Sequence, residues 1–168
     1  MIMKNESGRT MVEMMGVLAI MGVIMYGAIA GITFGVNMYK VTATYNDLEQ
    51  AAENIKDLYS WQREGYGNQD LACELLKEGL DPLRERGGCV ESGYQPFSSR
   101  WTGVEIHIYG GEYRHVSDGK HFIVKLEHLT QFACKRLANM SWSQLTVENG
   151  NSCNCDDKGD PCLLLISD

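Results

Sequence analysis

The sequence is short of charge and of helix breaks in its first third. Residues 14–39 contain no Asp, Glu, Lys or Arg, and all three prolines lie after residue 61. An uncharged run of this length exceeds the roughly 20 apolar residues that cross a bilayer as a helix. We therefore expect a transmembrane segment over about residues 14–36.

Catalytic signatures are also missing. The sequence has no Gly-x-Ser-x-Gly motif, no phosphate-binding loop and no Cys-His nucleophile pattern. Its net charge of −7 and pI near 5.1 argue against a general nucleic-acid surface, which requires clustered Lys and Arg. We expect neither an enzyme nor a bound cofactor or metal.

The apolar helix is expected to continue beyond the membrane. Apolar residues recur at spacings of three and four, and charged residues occupy the other faces. The recurring residues are Val41, Tyr45, Leu48, Ala52, Ile55 and Tyr59. The pattern predicts one helix over residues 9–61, apolar all round in its first half and amphipathic in its second.

The residues before the span are unusual. A short polar segment with Lys4 and Arg9 contains Gly8, and Glu13 stands at the start of the apolar run. An ordinary secretory signal has a shorter apolar core, followed by a small-residue cleavage site. A carboxylate at the edge of a membrane span costs on the order of 2 to 3 kcal/mol, so Glu13 is a candidate functional residue.

This combination of basic leader, Gly8, Glu13 and uninterrupted apolar helix resembles the type IV pilin precursors. The resemblance implies that a prepilin peptidase cuts after Gly8, leaving Arg9 as the first residue of the mature chain. It also implies that Glu13 pairs with the new amino terminus when subunits assemble, because a buried charge requires a partner. Arg9 departs from the Phe or Met that is usual there and commonly N-methylated.

Five glycines punctuate the apolar segment: Gly16, Gly22, Gly27, Gly31 and Gly35. The last three are four residues apart, a spacing that lets helix backbones approach closely. Membrane helices are rich in glycine in any case, but the spaced triplet favours close helix packing.

The rest of the chain, residues 62–168, predicts a small α+β head. Leu71–Gly79 and Leu129–Met140 have helical spacing, and residues 84–100 have the composition of a loop. Strands are predicted at residues 102–109, 113–116, 121–126, 143–147 and 163–166, with a polar loop at residues 149–161.

All cysteines lie in this head. They are Cys73, Cys89, Cys134, Cys153, Cys155 and Cys162. An even number in a small exported domain predicts disulfides, although six cysteines allow 15 pairings. Cys73 with Cys89 would close a short loop, and Cys134 with Cys162, Cys153 or Cys155 would tie a helix to the C-terminal region.

Two metal interpretations compete with this one. Cys153, Cys155 and Cys162 suggest zinc, but their spacing is wrong for zinc knuckles. The acidic segment at residues 156–160 offers oxygen ligands but lacks the spacing of an EF-hand. His107, His115, His121 and His128 lie on or near predicted strands and are interpreted as surface or cross-strand residues.

The head has a second, looser resemblance. A Cys-bearing helix, Gly79-x-x-Pro82, Trp101-Thr102-Gly103 before the strands and a second Cys-bearing helix resemble the type IVb pilins. That resemblance implies a long N-terminal helix packed on a small antiparallel sheet, with a disulfide between the last helix and the C-terminal region.

The function expected from these resemblances is structural. A leader at residues 1–8 is removed, and the chain moves from the inner membrane, with its N-terminus cytoplasmic, into an extracellular filament. The partners implied are membrane lipid, prepilin peptidase, the inner-membrane assembly machinery and identical or related subunits. The alternatives are a type II secretion pseudopilin and a non-polymerising single-pass protein with an external binding domain.

Overall fold

In the computed structural model, the described residues are 11–60, 65–67, 70–80, 97–98, 100–110, 120–148, 153 and 161–167. The chain forms two units, Met1–Met38 and Tyr39–Asp168. Gly8, Arg9, Cys89, Cys155, the predicted strand at residues 113–116 and the acidic segment at residues 156–160 lie outside the described residues.

The predicted long helix is confirmed. Helix α1 runs over Met11–Tyr59, a length of 49 residues. In the second unit its buried side chains recur every three or four residues, as expected of an amphipathic helix on a core. They are Val41, Thr44, Leu48, Ala51, Ala52, Ile55 and Tyr59.

The two predicted short helices are present, each slightly shorter than predicted, and side chains cap their first turns. In α2 (Leu71–Lys77), the Asp70 side chain accepts hydrogen bonds from the N–H groups of Ala72 and Cys73. Gly79 ends this helix with φ +69, and Leu80 N–H bonds back to the Leu75 carbonyl at 2.9 Å.

In α3 (Gln131–Ala138), the hydroxyl of Thr130 accepts a hydrogen bond from the Ala133 N–H at 3.2 Å. This bond satisfies one of the donors that the first turn of a helix leaves without a partner in the helix itself.

The strands form one antiparallel sheet in the order β1-β2-β3-β5-β4. Their bounds are Phe97–Ser98 (β1), Glu105–Gly110 (β2), Phe122–Glu127 (β3), Leu145–Val147 (β4) and Leu163–Ser167 (β5). The predicted α+β class, a long helix with a small antiparallel sheet, is confirmed.

Alternation along the strands divides the sheet into two faces. The face that shares a core with α1 carries Ile106, Ile108, Phe122, Val124, Leu126, Leu163 and Leu165. The opposite face, here called the outer face, carries Glu105, His107, Tyr109, Ile123, Lys125, Glu127, Leu164 and Ile166. Period-two alternation in the sequence produces this separation because successive strand side chains point to opposite faces.

Part of the strand prediction was wrong. Residues 84–100 were expected to be loop throughout, but Phe97 and Ser98 pair with Ile106 and Glu105 as an edge strand. Two residues are too few to produce an alternating pattern, so the sequence carried no signal for β1. Strand β3 pairs directly with β2, with Gly110 opposite Phe122.

Candidate functional site

The described residues of the first unit do not cover the apolar half of α1. All its residues from Met11 to Val36 are exposed, and sixteen large apolar side chains there are 46 to 80% exposed. Complete burial of one such side chain contributes about 1.5–3 kcal/mol, so covering all sixteen is worth on the order of 20 kcal/mol or more. That exceeds the roughly 5–15 kcal/mol net stability of a whole domain, and a lipid or protein environment is therefore required.

The same segment qualifies as a membrane span. Among the described residues, α1 alone is long and apolar enough, with a mean hydropathy of 2.2 in its best window and none of that window buried. The absence of burial separates it from the core helix of a soluble protein. Signal sequences pass the same test, but this helix continues to Tyr59 and contributes buried residues to the head.

The glycines of this segment serve no contact within the unit. A Cβ atom built at Gly16, Gly22, Gly27, Gly31 or Gly35 has nothing within 4 Å. In a helix, residues four apart follow one side, so Gly27, Gly31 and Gly35 form a strip without side chains. No described residue therefore uses the close approach that these glycines permit.

Glu13 lies in the first turn of α1, and its side chain is exposed. It is the only Asp, Glu, Lys or Arg among residues 11–38. A carboxylate in the first turn interacts favourably with the helix dipole by about 0.3–1 kcal/mol. This favourable interaction is smaller than the cost of placing a carboxylate in an apolar environment. The helix dipole alone therefore does not explain a glutamate at the start of the apolar segment.

The C-terminal region is tied to α3 by a disulfide between Cys134 and Cys153. Cys73 and Cys162 are also disulfide-bonded. A sulfur in a disulfide is not available as a thiolate ligand, so Cys153 and Cys162 are not zinc ligands in this state. The predicted disulfide-stapled C-terminal region is confirmed.

The segment of residues 141–144 is hydrogen-bonded to α1 at three positions along the helix. Tyr45 donates its hydroxyl proton to the Ser141 carbonyl at 2.7 Å, and Lys56 donates to the Gln144 carbonyl at 3.1 Å. Between them, the carboxylate of Glu49 accepts from both the N–H and the hydroxyl of Ser143, each at 2.7 Å. Burial and the nearby Glu49 carboxylate raise the pKa of Tyr45.

The described histidines have different surroundings in the structure. His121 donates from Nδ1 to the Ser167 carbonyl at 2.7 Å, and His128 is exposed after β3 with φ 58. His107 lies on the outer face between two carboxylates. His115 lies outside the described residues.

Sequence reasoning missed the cluster around His107. Glu105, His107 and Glu127 each place one potential ligand atom within 4.8 Å of the others. Two of them are on β2 and the third is on β3, 20 residues beyond His107. The available signal was the Glu105-x-His107 spacing, which places both side chains on one face of a strand.

Comparison with known proteins finds structural similarity to six chains of solved structures. No protein-family model and no curated protein sequence matches the chain. The chain is similar to the crystal structure of a type IVb pilin from Salmonella typhi, at 13% identity and a TM-score of 0.49, over 77% of this chain and 97% of that chain.

Proposed function

We propose that this chain is the precursor of a structural subunit of a type IV pilus or pilus-like filament. In the precursor, residues 14–36 of α1 span the inner membrane with the N-terminus in the cytoplasm, and the disulfide-bonded head lies outside. In the filament, the same helix packs among the helices of identical or related subunits. The apolar segment is thus first covered by lipid and then by protein.

The observation that carries this proposal is the exposure of α1. Sixteen large apolar side chains between Met11 and Val36 are uncovered, and the segment contains a single formal charge. A simple anchor needs an apolar surface but no glycine strip and no carboxylate. The glycines at positions 27, 31 and 35, each with nothing within 4 Å of a Cβ, favour a second helix as the neighbour.

Processing after Gly8 supplies a partner for Glu13. Cleavage there creates a free amino group on Arg9, four residues before Glu13. When helices pack and exclude lipid headgroups and water, an ionised carboxylate is stable only beside an opposite charge. The amino terminus of a neighbouring subunit, with the Arg9 guanidinium beside it, is the partner that we assign to Glu13.

The location of the cysteines supports export of the head. Described cysteines 73, 134, 153 and 162 are all disulfide-bonded, and such bonds persist in oxidising compartments. Lys4 and Arg9 precede the span, which favours a cytoplasmic N-terminus and therefore an external head.

Mass spectrometry of the N-terminus tests the proposal. The full chain is isolated from membranes of a strain with prepilin peptidase and of a strain without it. We expect the chain to begin at Arg9 in the first strain and at residue 1 or 2 in the second. The Gly8→Asp variant should remain uncut in both strains, whereas the matched variant Ser7→Ala should be cut like the parent. An intact leader in the strain that has the peptidase would contradict the proposal.

The alternatives predict other outcomes of the same preparation. A pseudopilin would also begin at Arg9, but it would be needed for protein secretion and absent from surface filaments. A non-polymerising membrane protein would keep its leader, and the Glu13→Ala substitution would leave its location and its binding unchanged.

A further inference from the structure

The outer face of the sheet concentrates charge where β2 and β3 pair. Glu105 lies directly opposite Glu127, and His107 lies directly opposite Lys125. Like charges directly opposite each other destabilise an antiparallel pair. A positive charge close to both carboxylates would offset that repulsion.

Lys125 lies beside one of the two carboxylates. Its Nζ lies 2.6 Å from Oε1 of Glu127. The other oxygen of Glu127, Oε2, faces Nε2 of His107 at 3.3 Å, and Oε2 of Glu105 lies 3.9 Å from the same nitrogen. With a neutral imidazole, the four side chains carry one net negative charge, since two carboxylates oppose one ammonium.

The surroundings of the His107 Nε2 atom also point to a bound cation. Nε2 is buried and makes no hydrogen bond to the described residues, because the contact with Glu127 lacks hydrogen-bond geometry. A buried polar atom without a partner is costly and requires an explanation. Coordination of a cation through the nitrogen lone pair would remove that cost.

We propose that Glu105, His107 and Glu127 form a binding site for a divalent transition-metal ion, with Zn²⁺ as the best fit. The three ligand atoms lie within 4.8 Å of one another. Zinc bonds of about 2.1 Å in a tetrahedron place ligand atoms about 3.4 Å apart, close to the separations seen around Nε2.

The ligand chemistry selects the class of ion. Calcium and magnesium take oxygen ligands and higher coordination numbers, whereas an imidazole with two carboxylates suits zinc. Three protein ligands leave one tetrahedral position for water. Lys125 holds the non-ligating oxygen of Glu127, the role that outer-shell partners have at metal sites.

A metal at this position cross-links β2 to β3 and neutralises the opposed carboxylates. All of its ligands belong to the second unit and lie outside α1. The site is therefore independent of leader cleavage and of filament assembly, and its failure would leave the proposed function standing.

Calorimetric titration of the purified full chain tests the site. The protein is kept in detergent with its disulfides intact, carries a purification tag without histidine and is freed of metal with a chelator. We expect saturable binding of one Zn²⁺ per chain and weaker binding of Ca²⁺. The Glu105→Gln, His107→Gln and Glu127→Gln variants should each bind Zn²⁺ at least about tenfold more weakly, since even outer-shell changes cost about 10- to 100-fold.

Two matched variants serve as controls. His128→Gln removes an exposed histidine one residue after Glu127, and Glu53→Gln removes an exposed carboxylate of α1. Both should bind Zn²⁺ like the parent. Glu105 has a side chain that is 46% exposed, so its variant is the least able to disturb folding, which circular dichroism checks.

X-ray absorption spectroscopy at the zinc edge should show nitrogen and oxygen ligands and no sulfur. Absence of saturable zinc binding, parent-like affinity in the three ligand variants, or sulfur in the coordination sphere would each overturn the site.

Discussion

At the scale of single residues, Gly110 shows how closely the turn before α2 approaches the sheet. A Cβ atom at Gly110 would lie 2.6 Å from the Gly67 carbonyl oxygen and 2.7 Å from both the Cβ and the carbonyl oxygen of Tyr66. Two of these three atoms belong to the backbone, so rotation of a side chain cannot relieve the clash. Only glycine fits at this position without movement of the chain.

We therefore predict that Gly110→Ala destabilises the head by about 1–3 kcal/mol, the usual cost of forcing extra atoms into packed structure. The measurement is urea unfolding of the full chain in detergent, followed by tryptophan fluorescence. Gly16→Ala, where a Cβ meets nothing within 4 Å, is the control and should leave the midpoint unchanged. Equal midpoints for Gly110→Ala and the parent would refute the prediction.

Tyr66 belongs to the same turn and packs between two aromatic rings. Its ring centroid is 5.4 Å from that of Tyr59 and 5.1 Å from that of Phe122. Burial raises the pKa of Tyr66 above its ordinary value of 10.0. The folded state thus holds the phenol proton more tightly than the unfolded state does.

The sign of the pH effect follows from linkage. The contribution of Tyr66 to stability is fully present below the unfolded pKa of 10.0 and is lost as the pH rises through the folded pKa. We predict that the Tyr66→Phe variant loses less stability than the parent between roughly pH 9 and pH 11. Urea unfolding at several pH values measures this, with pH 7 as the reference for each protein. Parallel losses in the two proteins would contradict it.

At the scale of elements, the parts that the sequence predicted well have a long or regular pattern. Helix α1 has 49 residues with a clear change from apolar to amphipathic, and its buried face, including Leu48, Ala52 and Ile55, was expected. Helix α3 was predicted from its spacing. Strand β2 was predicted from the alternation of Val104, Ile106 and Ile108, and β3 was predicted at residues 121–126.

The order in which the strands pair was not predictable from a local pattern. Strand β5 lies between β3 and β4, and nothing local to Leu163–Ser167 specifies those neighbours. The cluster of Glu105, His107 and Glu127 exists only because the register places residue 105 opposite residue 127. A sequence shows which side chains share one strand face, but not which strand lies beside it.

Helix α1 supports a prediction that separates folding from assembly. Gly31 has no neighbour within 4 Å of a Cβ, so Gly31→Leu should leave the head and its membrane insertion intact. If neighbouring helices pack against the strip of Gly27, Gly31 and Gly35, the added side chain should sharply reduce filament yield while the membrane pool persists.

Ala30→Leu is the matched variant, because it adds a similar volume about 100° further round the helix. The measurement is the amount of chain in the sheared surface fraction and in membranes, by quantitative blotting. Parent-like yields for Gly31→Leu would show that the glycine strip is not a packing surface.

At the scale of the whole molecule, the two units have different surfaces. Residues 11–38 expose apolar side chains and one carboxylate, whereas the head buries a core from α1, α2, α3 and the sheet. The head is closed by disulfides, caps and the attachment of residues 141–144 to α1. A chain built in this way has a folded domain to display and an uncovered helix to pack, which is the arrangement that a filament subunit requires.

Immunogold electron microscopy of sheared surface material tests that central claim most directly. Antibody against the head should label filaments along their length from cells with the parent chain and from cells with the matched variant Glu53→Gln. The Glu13→Gln variant should give no labelled filaments while the chain remains in the membrane. Parent cells without labelled filaments, or Glu13→Gln filaments as abundant as those of the parent, would contradict the account.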